Sequence, residues 1–187
     1  MERTARSILD ARPRIVAASS MFQQQCATLA LLRRIRELDP SVVTMLGGAN
    51  CMGSMGVALH REFPWVDYVV SGEADTLFAP LCARILRGAG EPLASDLPEG
   101  VFGPAHRRDP SRWAAQWREN PPWSLVRDLD ASPTPDYREY FEALEKSPLR
   151  KSIRPGLLVE TSRGCWWGQK KHCVFCGLHG GGMAYRA

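Results

Sequence analysis

Short apolar runs alternate with amphipathic stretches across residues 14–87, and this alternation constrains the fold more than any other feature of the chain. Helical spacing of apolar residues predicts helices over Phe22–Leu38, over about Gly56–Phe63 and from Leu77 to Gly88. Three further runs are short enough to be buried strands: Ile15–Ala18, Ser41–Leu46 and Tyr68–Val70. Strands that alternate with helices of this length form a parallel sheet covered on both faces. We therefore predict an α/β domain, a Rossmann-like parallel sheet, over residues 1–88.

Composition excludes several classes of protein. The chain of 187 residues is 44% hydrophobic and 24% charged, which is typical of a soluble protein with a hydrophobic core. Its net charge of +4 comes from scattered basic residues, so we predict no nucleic-acid partner. No apolar run approaches the roughly 18 residues that a membrane span needs, and no signal-peptide pattern opens the chain. We predict a cytoplasmic protein with no membrane association.

Residues 89–155 differ in character from the segment before them. Ten of the fourteen prolines fall between Gly88 and Pro155. Such a composition predicts an irregular linker, with short helices near Ser111–Arg118 and Asp136–Lys146. Three tryptophans in or beside these segments are expected to anchor the linker on a neighbouring surface: Trp113, Trp117 and Trp123. A further strand, Leu157–Val159, then opens a third segment over residues 156–187.

Half of the six cysteines crowd one loop, as Cys165, Cys173 and Cys176. The other three stand alone, which favours a reducing compartment and a metal site over a disulfide framework. Three thiolates leave a metal centre one protein ligand short, as in an iron–sulfur cubane with one free iron. A structural zinc site normally has four ligands, and His172 or His179 could supply the fourth. The spacing alone leaves both alternatives open.

The surroundings of the cysteines carry a resemblance to a known family. The segments 160–168, 173–180 and 183–186 resemble the signature of cobalamin-type radical S-adenosylmethionine (SAM) proteins that mature ribosomally synthesised peptides (RiPPs), such as bacteriocin-like products. The resemblance implies a [4Fe–4S] cluster on the three cysteines, with Phe175 beside SAM. It also implies that the cluster loop follows the first strand of a partial (β/α) barrel. The first cysteine gap of seven residues departs from the usual three, and His179 stands where the family has asparagine.

The same resemblance implies an N-terminal cobalamin-binding domain of flavodoxin-like topology. Ligands of open α/β sheets bind beyond the carboxyl ends of the strands, where glycines allow close approach. The residues implied at such strand ends are Ser19, Ser20, Met21, Gly47, Gly48, Asn50, Gly72 and Glu73. The cobalt-ligating Asp-x-His-x-x-Gly pattern is missing from the chain. Cobalamin is therefore expected to bind without a protein histidine, or not at all.

The implied parent is a radical SAM enzyme that cleaves SAM reductively, with cobalamin-dependent C-methylation of a ribosomal precursor peptide as the expected reaction. Its expected partners are that peptide and an electron donor of the flavodoxin or ferredoxin type. The chain is expected to be a fragment truncated at both ends, not competent alone and unstable in its C-terminal third. Glu160 and Arg163 are expected to shape the cysteine loop or to pair with each other. The alternatives are a zinc-stabilised, non-catalytic binding module and an inactive remnant.

Overall fold

The computed structural model describes residues 1–87, 92–108, 117–176 and 184–187, which form two units, Met1–Val126 and Arg127–Ala187. Trp113, His179 and most of the helix predicted at Ser111–Arg118 lie outside the described residues. The sequence predicts boundaries after residues 88 and 155, whereas the two units divide after Val126. Much of the segment predicted as a linker therefore belongs to the first unit.

The first unit is built on a four-stranded sheet in the order β1-β2-β3-β4. Strands β1 (Ile15–Ser19), β2 (Val43–Gly47) and β3 (Tyr68–Val70) are parallel, and β4 (Val101–Phe102) runs antiparallel to β3. The accompanying helices are α1 (Glu2–Leu9), α2 (Gln25–Leu38), α3 (Ser54–Glu62), α4 (Phe78–Leu86) and α5 (Pro104–Arg108). The predicted α/β architecture with parallel strands is confirmed.

Side chains of the central strands alternate between two core clusters, as the period of two in a strand requires. Leu46 and Val69 face a cluster that also contains Leu29 and Leu32 of α2 and Leu59 of α3. On the opposite face, residues of β2, β3 and β4 pack against Leu81 of α4, namely Met45, Tyr68, Val70 and Val101. Helices α2 and α3 therefore cover one face of the sheet and α4 covers the other.

Helices α1 and α5 and strand β4 of the first unit have no counterpart in the sequence predictions. Helix α1 places Ala5 against Ile35 and Val42 in a third buried cluster. Strand β4 places Phe102, which is 0% exposed, against Trp117, with ring centroids 4.7 Å apart. A strand of two residues carries no detectable periodicity, so its sequence was indistinguishable from a loop.

The second unit contains α6 (Arg138–Glu145) and α7 (Trp166–Lys170). Helix α6 confirms the helix predicted over Asp136–Lys146. The strand predicted at Leu157–Val159 is wrong for this structure, since the segment forms no ladder and Leu158 is 84% exposed. A strand is stable only when a neighbouring strand takes up its backbone hydrogen bonds, and the described residues offer this segment none. No barrel is therefore seen among them.

Candidate functional site

The loops that follow β1 and β2 meet at the carboxyl edge of the sheet. The backbone N–H of Ser20 donates to the Gly47 carbonyl at 2.8 Å, and the Asn50 N–H donates to the Ser20 carbonyl at 3.1 Å. The Asn50 side-chain amide also donates to the Ser20 hydroxyl at 3.0 Å. Because Ser20 is fully buried and bonded to its neighbours, it and Asn50 fasten two loops together.

Gly48 is a glycine because two backbones approach each other closely there. Its φ is +93°, and a Cβ atom would lie 2.6 Å from the Ser20 carbonyl oxygen and 2.8 Å from the Ser19 hydroxyl oxygen. Gly47, by contrast, has only ordinary contacts at 3.8 Å. Packing within the protein thus accounts for the close approach at Gly48 that the resemblance assigned to a corrin ring.

Gly72 and Glu73 bind the segment that ends the first unit. Gly72 forms a bridge with Ser124, and a Cβ atom on Gly72 would collide with the Ser124 carbonyl. The Glu73 backbone N–H donates to that carbonyl at 3.0 Å. The Glu73 carboxylate accepts from the Val126 N–H at 2.7 Å. Both residues at the end of β3 therefore hold protein backbone in this structure.

Three exposed apolar side chains belong to the segments that follow β1 and β2. Met21 and Phe22 follow β1, and Met55 lies in the first turn of α3, after β2. All three side chains are exposed, and Phe22 is 80% exposed with a left-handed φ of +48°. We call Met21, Phe22 and Met55 the apolar edge. Met55 was not among the residues predicted from the sequence, where it reads as part of a helix.

Two histidines lie inside the first unit. His60 and His106 are buried, with ring centroids 6.2 Å apart. The Nε2 atom of His60 lies 3.0 Å from the Gly103 carbonyl oxygen, and Nδ1 of His106 accepts from the Gly103 N–H at 3.0 Å. Burial lowers the pKa of His60 to about 3 and also lowers the pKa of His106. Each ring holds the Gly103 backbone through one nitrogen, so packing within the first unit accounts for both histidines.

The three clustered cysteines are free, half-buried thiols on one stretch of the second unit. Cys165 immediately precedes α7, and its sulfur accepts from the Gly168 N–H at 3.2 Å. A backbone hydrogen bond of 3.0 Å from Cys176 to Cys173 closes a turn between the other two. Within the described ranges, no three His, Cys, Asp or Glu side chains are grouped to hold a metal ion. The three cysteines therefore lie on one short segment, but in the described structure their side chains are not grouped around a common metal position.

The base of the cysteine loop is fixed by backbone pairing. Arg163 and Arg186 exchange two N–H to carbonyl hydrogen bonds of 2.9 Å each. Gly164 has a φ of +82°, and a Cβ atom there would collide with the Ala184 carbonyl. The Arg163 guanidinium donates to the Glu160 carboxylate at 2.8 Å. Of the two expectations for Glu160 and Arg163, the ion pair is confirmed.

Three exposed aromatic side chains neighbour the cysteines along the chain, namely Trp166, Trp167 and Phe175. Phe175, between the second and third cysteines, is 89% exposed. Trp166 and Trp167 of α7 are also exposed, and the Lys170 ammonium lies 4.0 Å from the centre of the Trp166 ring. A single exposed apolar residue needs no explanation, but several exposed aromatic residues in one short segment are apolar area that a ligand or a partner can cover.

Comparison with known proteins finds a distant similarity. The chain is 24% identical over 164 residues to an uncharacterized methyltransferase of Pyrococcus horikoshii, in an alignment that covers 88% of this chain and 31% of that protein. The chain thus spans about a third of the length of this relative. No protein-family model matches the chain. In the described ranges, no helix is both long and apolar enough to cross a bilayer.

Proposed function

We propose that the chain is the cofactor-binding part of a methyltransferase that uses SAM together with a [4Fe–4S] cluster held by Cys165, Cys173 and Cys176. One observation carries the proposal: three free, half-buried thiols lie on one loop beside the uncovered ring of Phe175. The distant similarity to a methyltransferase supports methyl transfer as the reaction class. The radical SAM assignment rests on the resemblance of the cysteine loop.

The donor set fits an iron–sulfur cluster chemically. Three thiolates satisfy three of the four irons of a cubane, and the fourth iron is left for a small ligand. The N–H of Gly168, which already points at the Cys165 sulfur, stabilises negative charge there. The backbone hydrogen bond that closes the turn from Cys173 to Cys176 keeps these two cysteines near each other in space. Binding of a cluster requires a rearrangement of the segment between Cys165 and Cys173 that brings the three sulfur atoms together.

When bound, such a cluster with SAM supplies a strongly reducing electron and the reductive cleavage of the sulfonium. The protein supplies an apolar surface for SAM and a backbone anchor for the cysteine loop. The exposed ring of Phe175 would lie against the adenine of SAM and exclude water from one face. The pairing of Arg163 with Arg186 anchors the loop next to the first cysteine.

Cobalamin enters the proposal as the methyl carrier, at the apolar edge of the first unit. Gly48 and Gly72 are packed on protein backbone, so the support comes from the exposed side chains of Met21, Phe22 and Met55. A flat macrocycle covers such side chains favourably, at about 25 cal/mol per Å² of apolar area. The two buried histidines, His60 and His106, take no part. A ribosomally synthesised peptide, methylated at carbon, is the proposed substrate on the basis of the resemblance.

The decisive experiment is anaerobic reconstitution of the chain with iron and sulfide, read by visible absorption and by EPR after reduction. We expect a cubane signal that shifts when SAM is added. The Cys173→Ala/Cys176→Ala variant should lose the signal. The matched control is Cys26→Ala/Cys82→Ala, which removes two cysteines far from the loop in sequence and should keep it.

Two results would contradict the proposal. Tight zinc binding without a cluster in the wild-type chain would identify a zinc-stabilised module. Failure to take up either metal, with the first unit still folded, would identify an inactive remnant. Loss of the signal in the Cys26→Ala/Cys82→Ala control would also count against the assignment of the ligands, because these thiols are not proposed to touch the cluster.

A further inference from the structure

Two of the clustered cysteines stand at the two ends of one tight turn. The backbone N–H of Cys176 donates to the Cys173 carbonyl at 3.0 Å, and Val174 and Phe175 occupy the central positions. Neither central residue has a positive φ, and the peptide bonds are trans. Among hydrogen-bonded turns this leaves type I, in which the two end Cα atoms lie within about 7 Å of each other. We call residues 173–176 the cysteine turn.

The geometry of the cysteine turn suits a disulfide bond. A disulfide requires Cα atoms about 4.4–6.8 Å apart, so a turn of this kind can be bridged with little change of the backbone. Both thiols are free and half-buried, whereas Val174 and Phe175 between them are almost fully exposed. A small disulfide reagent can therefore reach the sulfur atoms. The C-x-x-C spacing is also the one that redox-active cysteine pairs use.

The third clustered cysteine, Cys165, is engaged by contacts of its own. Its sulfur accepts from the Gly168 N–H at 3.2 Å, at the start of α7. The backbone before it is anchored by the two hydrogen bonds between Arg163 and Arg186. Among the described residues, the three thiols are not gathered into one group. Of the three pairings that these cysteines allow, the structure therefore favours Cys173 with Cys176.

The cysteines of the first unit differ from this pair in reactivity. Cys51 is fully buried, and burial raises the pKa of its thiol to about 12. Burial also raises the pKa of Cys82. Because the thiolate is the form that attacks a disulfide, burial slows the reaction of both. Cys26 is exposed, and we expect its product with a small disulfide to be a mixed disulfide.

We propose that Cys173 and Cys176 form a reversible disulfide in the metal-free chain, and that this bond controls whether the cysteine loop can accept a metal. The control of metal loading rests on the proposed function, since Cys173 and Cys176 are two of the three cysteines assigned there to the cluster. Bonded to each other, they have no thiolate to offer. The loop then loads metal only after reduction.

The oxidant is a low-molecular-weight disulfide such as glutathione disulfide. One cysteine of the turn attacks it as a thiolate, forms a mixed disulfide and releases one glutathione. The other cysteine then attacks the mixed disulfide and releases the second glutathione. In total the two protein thiols lose two electrons and two protons, and glutathione disulfide becomes two glutathione thiols.

The first experiment measures the disulfide without any metal. The chelator-treated Cys26→Ala/Cys82→Ala chain is equilibrated without oxygen at increasing ratios of oxidised to reduced glutathione. Free thiols are then alkylated, and mass spectrometry of the digest identifies the pairing. We expect Cys173 and Cys176 to pair while Cys165 stays alkylated. Adding Cys165→Ala should leave this pairing unchanged, and adding Cys173→Ala should abolish it.

Two proline variants test whether the cysteine turn sets the pairing. Proline is favoured at the first central position of a type I turn and disfavoured at the second. Val174→Pro should therefore be half-oxidised at the same glutathione ratio as its parent, or at a lower one. Phe175→Pro should require a ratio at least about threefold higher. Both substitutions replace an exposed side chain, so they form a matched pair.

The second experiment measures the consequence for metal loading. Cobalt(II) is the probe, because it binds thiolates and does not reduce a disulfide, whereas sulfide does. The oxidised chain and the chain reduced by a phosphine are each titrated with cobalt(II) without oxygen, and the thiolate-to-cobalt absorption is followed. We expect the reduced chain to bind, and the oxidised chain to bind at least about tenfold more weakly. Reduction of the oxidised chain should restore binding.

Several outcomes would overturn the proposal. The pairing is wrong if glutathione disulfide leaves Cys173 and Cys176 unpaired, if Cys165 is one of the paired residues, or if the two proline variants are oxidised alike. The control of loading is wrong if the oxidised and reduced chains bind cobalt(II) equally, or if neither binds it. Failure of the reduced chain to form a cluster contradicts the proposed function alone, because the pairing is measured on metal-free protein.

Discussion

Gly72 packs directly against the backbone of Ser124, and a Cβ atom on Gly72 would collide with the Ser124 carbonyl oxygen and lie 2.8 Å from its nitrogen. The two residues are far apart in the chain, yet they form a parallel bridge beyond the end of β3. The contact joins a strand end of the α/β sheet to a segment whose prolines predicted a linker. It explains why Gly72 is a glycine without invoking a ligand.

Substitution of Gly72 by alanine should destabilise the first unit by about 3 kcal/mol. The φ of +93° costs a residue with a Cβ atom about 1–2 kcal/mol, and the collision with Ser124 adds a similar amount. Urea denaturation followed by circular dichroism measures the change. Gly47→Ala is the control, since its Cβ would have only ordinary contacts at 3.8 Å and should stay within about 0.5 kcal/mol. Equal effects of the two substitutions would contradict this account.

Trp117→Ala should cost about 3–5 kcal/mol of stability, because Trp117 is buried against Phe102 and His106 at centroid distances of 4.7 and 4.9 Å. Trp117→Phe should cost less, since a ring remains in the cluster. Trp167→Ala, which removes an exposed ring, should leave the unfolding of the first unit unchanged. Thermal or urea unfolding distinguishes the three. A small effect of Trp117→Ala on stability would indicate that residues 117–126 are a linker and do not contribute to the core of the first unit.

Acid should weaken the first unit through His60. Burial lowers the pKa of this histidine to about 3 from an ordinary value of 6.5, so the unfolded chain takes up the proton first. The contribution of His60 to the free energy of unfolding is therefore fully present above about pH 6.5. It is lost as the pH falls, at up to about 1.4 kcal/mol per pH unit. His60→Gln keeps a donor for Gly103 but cannot titrate in this range. Between pH 7 and pH 5 we expect the wild type to lose about 2 kcal/mol more than this variant.

The control for the acid effect is His172→Gln, which changes an exposed histidine of the second unit. It should retain the pH dependence of the wild type. If His60→Gln and the wild type lost stability in parallel between pH 7 and pH 5, the neutral buried state of His60 would not be the source of the acid sensitivity. His106 is present in both proteins, so its own lowered pKa contributes to the acid sensitivity of each.

Phe22→Gly should weaken cobalamin binding without weakening the fold. The side chain is 80% exposed, and the left-handed φ of +48° is one that glycine adopts freely. Stability should be unchanged or rise by up to about 1 kcal/mol, because strain at a bulky residue is relieved. Arg12→Gly is the matched control, since Arg12 has a φ of +50° in the loop before β1. It should show the same change in stability with no change in cobalamin binding.

Hydroxocobalamin binding, followed by equilibrium dialysis and its visible spectrum, provides the measurement. Equal affinities of the wild type and Phe22→Gly would contradict the assignment of the apolar edge to the corrin. Equal losses in Phe22→Gly and Arg12→Gly would instead point to a general effect of backbone flexibility.

The parallel part of the fold could be predicted because its signals are local. The strands at Ile15–Ser19, Val43–Gly47 and Tyr68–Val70 are apolar runs of characteristic length, and the periodicity of the helices between them is visible in the sequence. Helices α1, α5 and α7 and strand β4 were missed, since short helices and a strand of two residues have weak local patterns. The strand predicted at Leu157–Val159 has a suitable composition, but the described residues give it no neighbour to pair with.

The sequence by itself determined the α/β class, the positions of the loops after β1, β2 and β3, and the placement of three cysteines on one short segment. Only the tertiary structure decided what those loops hold. Ser20 and Asn50 bond to each other, and Gly72 and Glu73 bind the segment that ends at Val126. The reason is physical: periodicity and spacing are properties of neighbours along the chain, whereas a hydrogen bond or a close backbone contact depends on which distant residue the fold brings alongside.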